Sequence, residues 1–148
     1  MGSGVRLQAG TFTQLNLFVD TSVWSLALRR DRQPTEPAVT FLARALADGD
    51  AIFTTGLVLQ EILQGFHGPK AHESILARFA ALPLLVPDRH DHVRAAELRN
   101  TCRRHGIQVG TIDALLAQLC IRHRLTLLTA DHDFERIARV EPLEIWRS

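Results

Sequence analysis

The chain predicts an α/β fold with a central, mainly parallel sheet, and three observations lead there. Short apolar runs at Leu15–Val19, Ala51–Thr54 and Leu125–Leu128 each give way to small polar residues, threonine or aspartate. Helical spacing follows each run at once, and a repeated strand-then-helix order implies parallel strands joined by crossovers. A length of 148 residues, 46% hydrophobic and 22% charged, fits one domain with a sizeable core.

Taken in order, residues 1–14 are rich in Gly, Ser, Thr and Gln and read as a disordered segment, an expression remnant or an upstream start, outside the fold. The domain is expected over 15–148. After the first strand, Asp20-Thr21-Ser22 offers a helix cap, and a helix runs from Ser22 to Arg30. Beyond the breaker stretch 31–37, the spacing Val39, Leu42, Ala43, Leu46 is helical and stops near Gly49. Thr55 caps a helix through Leu57, Val58, Glu61 and Ile62 to Gly65, and Gly68-Pro69 breaks it. Ile75, Leu76, Phe79 and Ala80 mark the next helix, and Leu82–Val86 a third strand. A half-polar helix spans His90–His105 and ends before Gly106. Thr111 is expected to cap an amphipathic helix with the stripe Ile112, Leu115, Leu116, Leu119, Cys120. A short helix after Asp131 and a last strand near Leu143–Trp146 complete the chain.

Composition removes several classes of function. Seventeen basic and sixteen acidic residues leave a net charge of +1, so nucleic-acid binding would rest on a local patch rather than a global field. Only Lys70 among the basic residues is a lysine, and arginine suits bidentate phosphate contacts. No apolar run reaches about 18 residues and no secretory leader pattern opens the chain, so no membrane association is expected. Cys102 and Cys120 lack zinc spacing and read as reduced, buried thiols, which suits the cytoplasm.

Four carboxylates depart from the rule that charge collects on solvated faces. Asp20 follows the first strand and Asp131 a later one, at the strand ends where open α/β sheets bind ligands. Glu61 occupies a position where the apolar stripe predicts a hydrophobic residue, and Asp113 lies in the first turn of its helix. Singly, each has an ordinary explanation as a helix-start acid, a turn residue or a solvated side chain. Together, four carboxylates within about 4–6 Å would repel by a few kcal/mol per pair, so they must take up protons or bind a cation. Oxygen donors without Cys or His favour Mg²⁺ or Mn²⁺, and a divalent ion so held can activate water against a phosphodiester.

The segments LFVDTSVW, LQEILQG, GTIDALLAQL and LTLLTADHDF, in that order, resemble the PIN domain, and closely its VapC-type toxins. The resemblance spans about Asn16 to Trp146. It implies a three-layer α/β/α sandwich and a Mg²⁺-dependent endoribonuclease restrained by a VapB-type antitoxin, commonly as a homodimer. Asp20 and Asp113 would be direct metal ligands, and Glu61 and Asp131 would complete the acidic pocket. Ser22 and Thr129 would orient it, and Asp133 competes with Asp131 as the fourth acid. Water would attack the RNA phosphodiester in line and leave a 5′-phosphate. An antitoxin arginine placed near Asp20 and Asp113 would displace the cation.

Arg29, Arg30 and Arg32 and the pair Arg103 and Arg104 are candidate phosphate contacts. His132 reads as an exposed turn histidine, Trp24 and Phe66 as packing residues. Three rival readings remain. A Toprim-like site would use Glu61 and the Asp131-His132-Asp133 pair but leaves Asp20 and Asp113 idle. A haloacid-dehalogenase-like phosphatase wants DxD after the first strand, where this chain has Asp20-Thr21-Ser22. A non-catalytic interaction module would tolerate neutralised acids.

Overall fold

The structure is a computed structural model that describes residues 15–29 and 36–148. Its elements are β1 (Asn16–Val19), α1 (Thr21–Leu28), α2 (Pro37–Asp48), β2 (Ala51–Thr55), α3 (Gly56–Gly65), α4 (Pro69–Phe79), β3 (Leu84–Leu85), α5 (Arg89–Arg104), α6 (Thr111–His123), β4 (Thr126–Leu128) and α7 (Asp133–Ala138). The strands form one sheet in the order β3-β2-β1-β4, and every pairing is parallel.

Burial along β1 shows how the sheet is covered. Leu17, Phe18 and Val19 are all fully buried, yet consecutive strand residues point to opposite faces. Helices must therefore pack on both sides, which is the layered α/β arrangement the strand-helix order predicts. The order also places a switch point. The chain moves from β1 to β2 to β3 in one direction, then returns with β4 on the other side of β1. In open parallel sheets the crevice at such a point, beyond the carboxyl ends of the strands, is where ligands bind.

Local chemistry accounts for most element ends. Thr55 Oγ1 accepts the Val58 N–H at 3.1 Å and caps α3 as expected. Thr55 is 1% exposed, so Thr55→Ala should cost about 1 kcal/mol, read as a lower denaturant midpoint at unchanged m-value. Asp88 and Asp91 form a reciprocal capping box at the start of α5. Gly49 ends α2 in the left-handed region at φ 77°, where glycine lacks the Cβ penalty.

Three expectations change. Thr111 is the first residue of α6, whose N-cap is Gly110 without a side-chain cap. The amphipathic stripe is also replaced: Ile112 is exposed, whereas every residue from Ala114 to Cys120 is buried. That helix packs against both α5 and α7, so no face between is left for solvent. The last strand shrinks to a single parallel bridge between Leu127 and Ile145. Leu127 N–H donates to Glu144 O and Trp146 N–H to Leu127 O, both at 2.9 Å, and no second pairing follows. Both cysteines are buried and free, Trp24 packs its ring 4.8 Å from Phe79, and Phe66 lies partly buried against the core. Among the described residues no helix is long and apolar enough to cross a membrane.

Candidate active site

Strand register builds the centre of the site. Val19 pairs with Leu128, and Asp20 N–H continues the pairing by donating to Leu128 O at 3.2 Å. The next residue after each strand is thus Asp20 on one side and Thr129 on the other, at the carboxyl ends of β1 and β4. Asp20 is 5% exposed and almost fully engaged. Its Oδ1 accepts from Ser22 Oγ at 2.5 Å and Ser22 N–H at 3.1 Å, and Oδ2 accepts from Thr129 Oγ1 at 2.7 Å. Burial raises its pKa above the usual carboxylate value, and the donors from Ser22, Thr129 and Val23 work against that rise. With a single donor, Oδ2 keeps a lone pair for another partner.

Ser22 and Thr129 each serve two masters. Ser22 Oγ donates to Asp20 and accepts the Ala130 N–H at 2.9 Å. Thr129 Oγ1 donates to Asp20 and accepts the Asp131 N–H at 2.9 Å. Both hydroxyls therefore lock Asp20 to the loop that carries Asp131. Asp131 in turn accepts the Asp133 N–H through Oδ1 at 2.9 Å, and Asp133 pairs with Arg136 at the start of α7.

Asp113, in the first turn of α6, lies close enough to this centre to feel the charges of Asp20 and Asp131. Its pKa is pushed up to about 6, first by burial and then by the negative charges of Asp131, Asp20, Asp133 and Glu61, in that order. That sequence of causes brings all five acids into one field. Glu61 differs from its expected setting: it is exposed, and Thr21 Oγ1 donates to its Oε1 at 2.6 Å across the junction of α1 and α3. Thr21 lies inside the DTS segment, where the residue pattern points to nothing beyond capping. Among the described residues, Asp20, Glu61, Asp113 and Asp131 have no ion-pair partner, whereas Asp133 does.

No three His, Cys, Asp or Glu side chains among the described residues are drawn together closely enough to ligate one ion. Uncompensated carboxylates repel, so a looser spacing is expected without a cation. The donor chemistry fits Mg²⁺, which keeps several waters and is commonly held by only one or two carboxylates. His132 is exposed, as expected of a turn residue.

The arginines divide. Arg29 is exposed and, with Lys70 and Arg78, lines a cleft of about 560 Å³ between α1 and α4. Arg30 and Arg32 lie outside the described residues. Arg104 is exposed and donates to Thr101 Oγ1 at 3.0 Å. Arg103 lines a separate cavity together with Arg99, a residue the sequence did not single out.

The PIN domain profile matches residues 17–140. A VapC ribonuclease of Mycobacterium bovis and ribonuclease VapC11 of Mycobacterium tuberculosis are each 32% identical over 131 residues, covering 86% of this chain and 96% of theirs. Among solved structures, VapBC2 from Rickettsia felis bound to a promoter DNA fragment aligns with a TM-score of 0.70 at 19% identity, over 90% of this chain and 100% of that one. FitAB bound to a DNA fragment aligns with a TM-score of 0.69 at 23% identity, over 88% and 93%. The switch-point position of the acids, the ordered sequence segments and these matches agree, and the chain belongs to the PIN-domain family, among its VapC-type members.

Proposed function

We propose that the chain is a Mg²⁺-dependent endoribonuclease, the toxin of a VapBC-type pair, and that Asp20, Glu61, Asp113 and Asp131 are its reactive acids. One observation carries the reading: the charges of Asp131, Asp20, Asp133 and Glu61 converge on Asp113 at the carboxyl edge of the sheet. The 32% identical relatives named as VapC ribonucleases support RNA as the substrate.

Asp20 and Asp113 would hold the cation. When bound, a divalent ion lowers the pKa of water and offsets charge on phosphate oxygens. Asp20 is fixed for that task by Ser22 and Thr129, which leave one lone pair on Oδ2 open. Asp131 acts on Asp113 more strongly than Asp133 does and has no cationic partner of its own, so it is the better fourth acid. Glu61, exposed and steadied by Thr21, would serve as the acceptor of a proton from an attacking water. The Toprim-like reading leaves Asp20 unused, although Asp20 is the most thoroughly hydrogen-bonded acid of the group.

A VapB-type antitoxin as partner is supported by the solved relatives, which include VapBC and FitAB complexes. An antitoxin arginine could neutralise the acids and displace the cation. We also place the chain in the cytoplasm and as a homodimer, in keeping with the family.

Cleavage of a mixed pool of structured RNAs with Mg²⁺, or Mn²⁺, and its loss with EDTA, tests the proposal. Metal-independent cleavage would contradict it. Thr129→Val removes the Oδ2 donor of Asp20 while keeping the side-chain shape. It should lower activity or metal affinity about 10- to 100-fold, the usual effect of losing a group that orients a metal ligand. A titration of activity against Mg²⁺ concentration reads the change.

A further inference from the structure

The acid cluster poses an electrostatic difficulty for an RNA enzyme, because five carboxylates repel the phosphodiester backbone they must receive. Beside the cation proposed above, a basic surface near the start of α6 would supply attraction. The cavity lined by Arg99, Arg103, Ile107, Gln108, Val109 and Gly110 is such a surface; it measures about 540 Å³, and no lining residue is acidic.

Its position follows from the fold. Gly106, in the left-handed region at φ 76°, turns the chain back after α5, and Arg99 Nε then donates to Val109 O at 2.6 Å. That bond pins the returning loop against α5 and fixes the Arg99 guanidinium at the cavity wall. Gly110, at the cavity edge, is the N-cap of α6, and Asp113 lies three residues on in its first turn, about 4.5 Å along the axis. Nothing lies within 4 Å of where a Cβ on Gly110 would stand, and α6 has no side-chain cap there. The backbone N–H groups of its first turn therefore have no side-chain acceptor from the N-cap.

The guanidiniums are uncommitted. Among the described residues Arg103 has no side-chain hydrogen bond or ion pair, and Arg99 spends only Nε, leaving both terminal nitrogens. A favourable position at the C-terminal end of α5 explains Arg103 on its own. It does not explain Arg99, one turn further inside the helix and tied to a loop. Two forked donors beside an open helix start match phosphate chemistry.

We propose that this cavity is a phosphate-binding subsite, in which Arg99 and Arg103 grip a backbone phosphate of the RNA flanking the scissile bond. The subsite rests on the ribonuclease reading given above and adds the residues that hold the strand beside Asp113. It contacts phosphate rather than base edges, so it contributes affinity and register without sequence preference.

The test is RNA binding by fluorescence anisotropy, with a labelled mixed-sequence single-stranded RNA, in EDTA and in an Asp113→Asn background so that no cleavage intervenes. Arg103→Gln and Arg99→Gln are compared with Arg94→Gln, whose arginine pairs with Glu97 on the exposed face of the same helix. Either cavity substitution should weaken binding about five- to tenfold at low salt and flatten the slope of log K against log salt by about 0.7, while Arg94→Gln changes neither. Arg99→Gln also removes the loop bond and could unfold the protein. Arg103 is exposed, so Arg103→Gln decides the matter if that happens. Equal affinity and slope in Arg103→Gln and Arg94→Gln would overturn the subsite. Intact RNA binding combined with lost capture of a co-expressed cognate antitoxin would also overturn it and make the cavity a protein contact. A background protein that binds no RNA removes the subsite as well. Cleavage by the chain with Asp113 intact, assayed in parallel with Mg²⁺, shows separately whether the ribonuclease reading survives.

Discussion

Asp113→Asn is expected to reduce Mg²⁺-dependent RNA cleavage by roughly 100-fold or more and, in the absence of metal, to raise the melting temperature at neutral pH. The two effects have one origin. Burial and the charges of Asp131, Asp20, Asp133 and Glu61 hold the Asp113 pKa at about 6, against an ordinary 3.8. Between about pH 4 and pH 6 the folded state thus holds a proton that the unfolded chain has already released. Stability from this group is full below about pH 4 and is lost as pH rises toward 6. Above that, the ionised carboxylate strains the fold, and Asn relieves the strain. The same charge is what a cation would need, and losing several kcal/mol of metal-assisted stabilisation at a factor of ten per 1.36 kcal/mol accounts for the activity. Melting curves in EDTA from pH 4 to pH 8 check the stability arm, where the gap between variant and wild type should open with rising pH. If the acids hold a cation as proposed, Mg²⁺ should raise the wild-type melting temperature by binding the folded state, and raise that of the variant less. A variant less stable than wild type at pH 7 would show that Asp113 is held by favourable contacts instead.

Arg122→Met should destabilise the fold by about 3 kcal/mol, a fall in melting temperature on the order of 10 °C for a domain of this size, without the activity loss of Asp113→Asn. Arg122 and Asp113 lie on the same helix, and the contrast between them separates structure from chemistry. Arg122 Nη1 donates to Asp91 Oδ2 at 2.6 Å, and the Asp91 side chain is fully buried. Asp91 also closes the capping box of α5, while its Oδ1 is buried without a partner. Removing the guanidinium leaves a buried charge unpaired, which costs more than the pair itself contributed. The double variant Asp91→Asn with Arg122→Met should recover part of the loss, because the orphaned charge is gone. Chemical denaturation of the two single variants and the double measures that coupling; strict additivity would mean that the pair is not coupled.

The short strands were legible because each apolar run ends at a polar residue that must do something specific there. Asp20 after β1 caps α1, and Thr55 at the end of β2 caps α3. The last strand was not, because alternation in LEIW carries no information about whether a second pairing partner exists, and among the described residues the pairing stops at the Leu127–Ile145 bridge. Helix α6 misled in another way. Its stripe of leucines predicts one buried face, but Gln118, Ala114 and Ala117 are buried too, since neighbours on several sides set burial and periodicity sees only one.

At the site, the positions of Asp20, Asp113 and Asp131 could be read from strand ends and a helix start, which the parallel order brings to one edge. Glu61 was singled out as a break in the apolar pattern, yet it stands in solvent and belongs to the cluster through Thr21 and its charge on Asp113. Arg99 carried no signal, because it is one of several arginines along a half-polar helix. Only the turn at Gly106 brings the Val109 carbonyl to it. The capping pair Asp88 and Asp91 was not singled out in the sequence, and the burial of Asp91 under Arg122 depends on a contact thirty-one residues away.

The most direct test of the central claim is the chemistry of the ends produced when the purified chain cuts RNA in Mg²⁺. Attack by water positioned at the acid cluster predicts 5′-phosphate and 3′-hydroxyl ends, absent with Asp20→Asn. Cuts leaving 2′,3′-cyclic phosphates and 5′-hydroxyls would mean that the ribose 2′-hydroxyl is the nucleophile, and would contradict the role assigned to these acids.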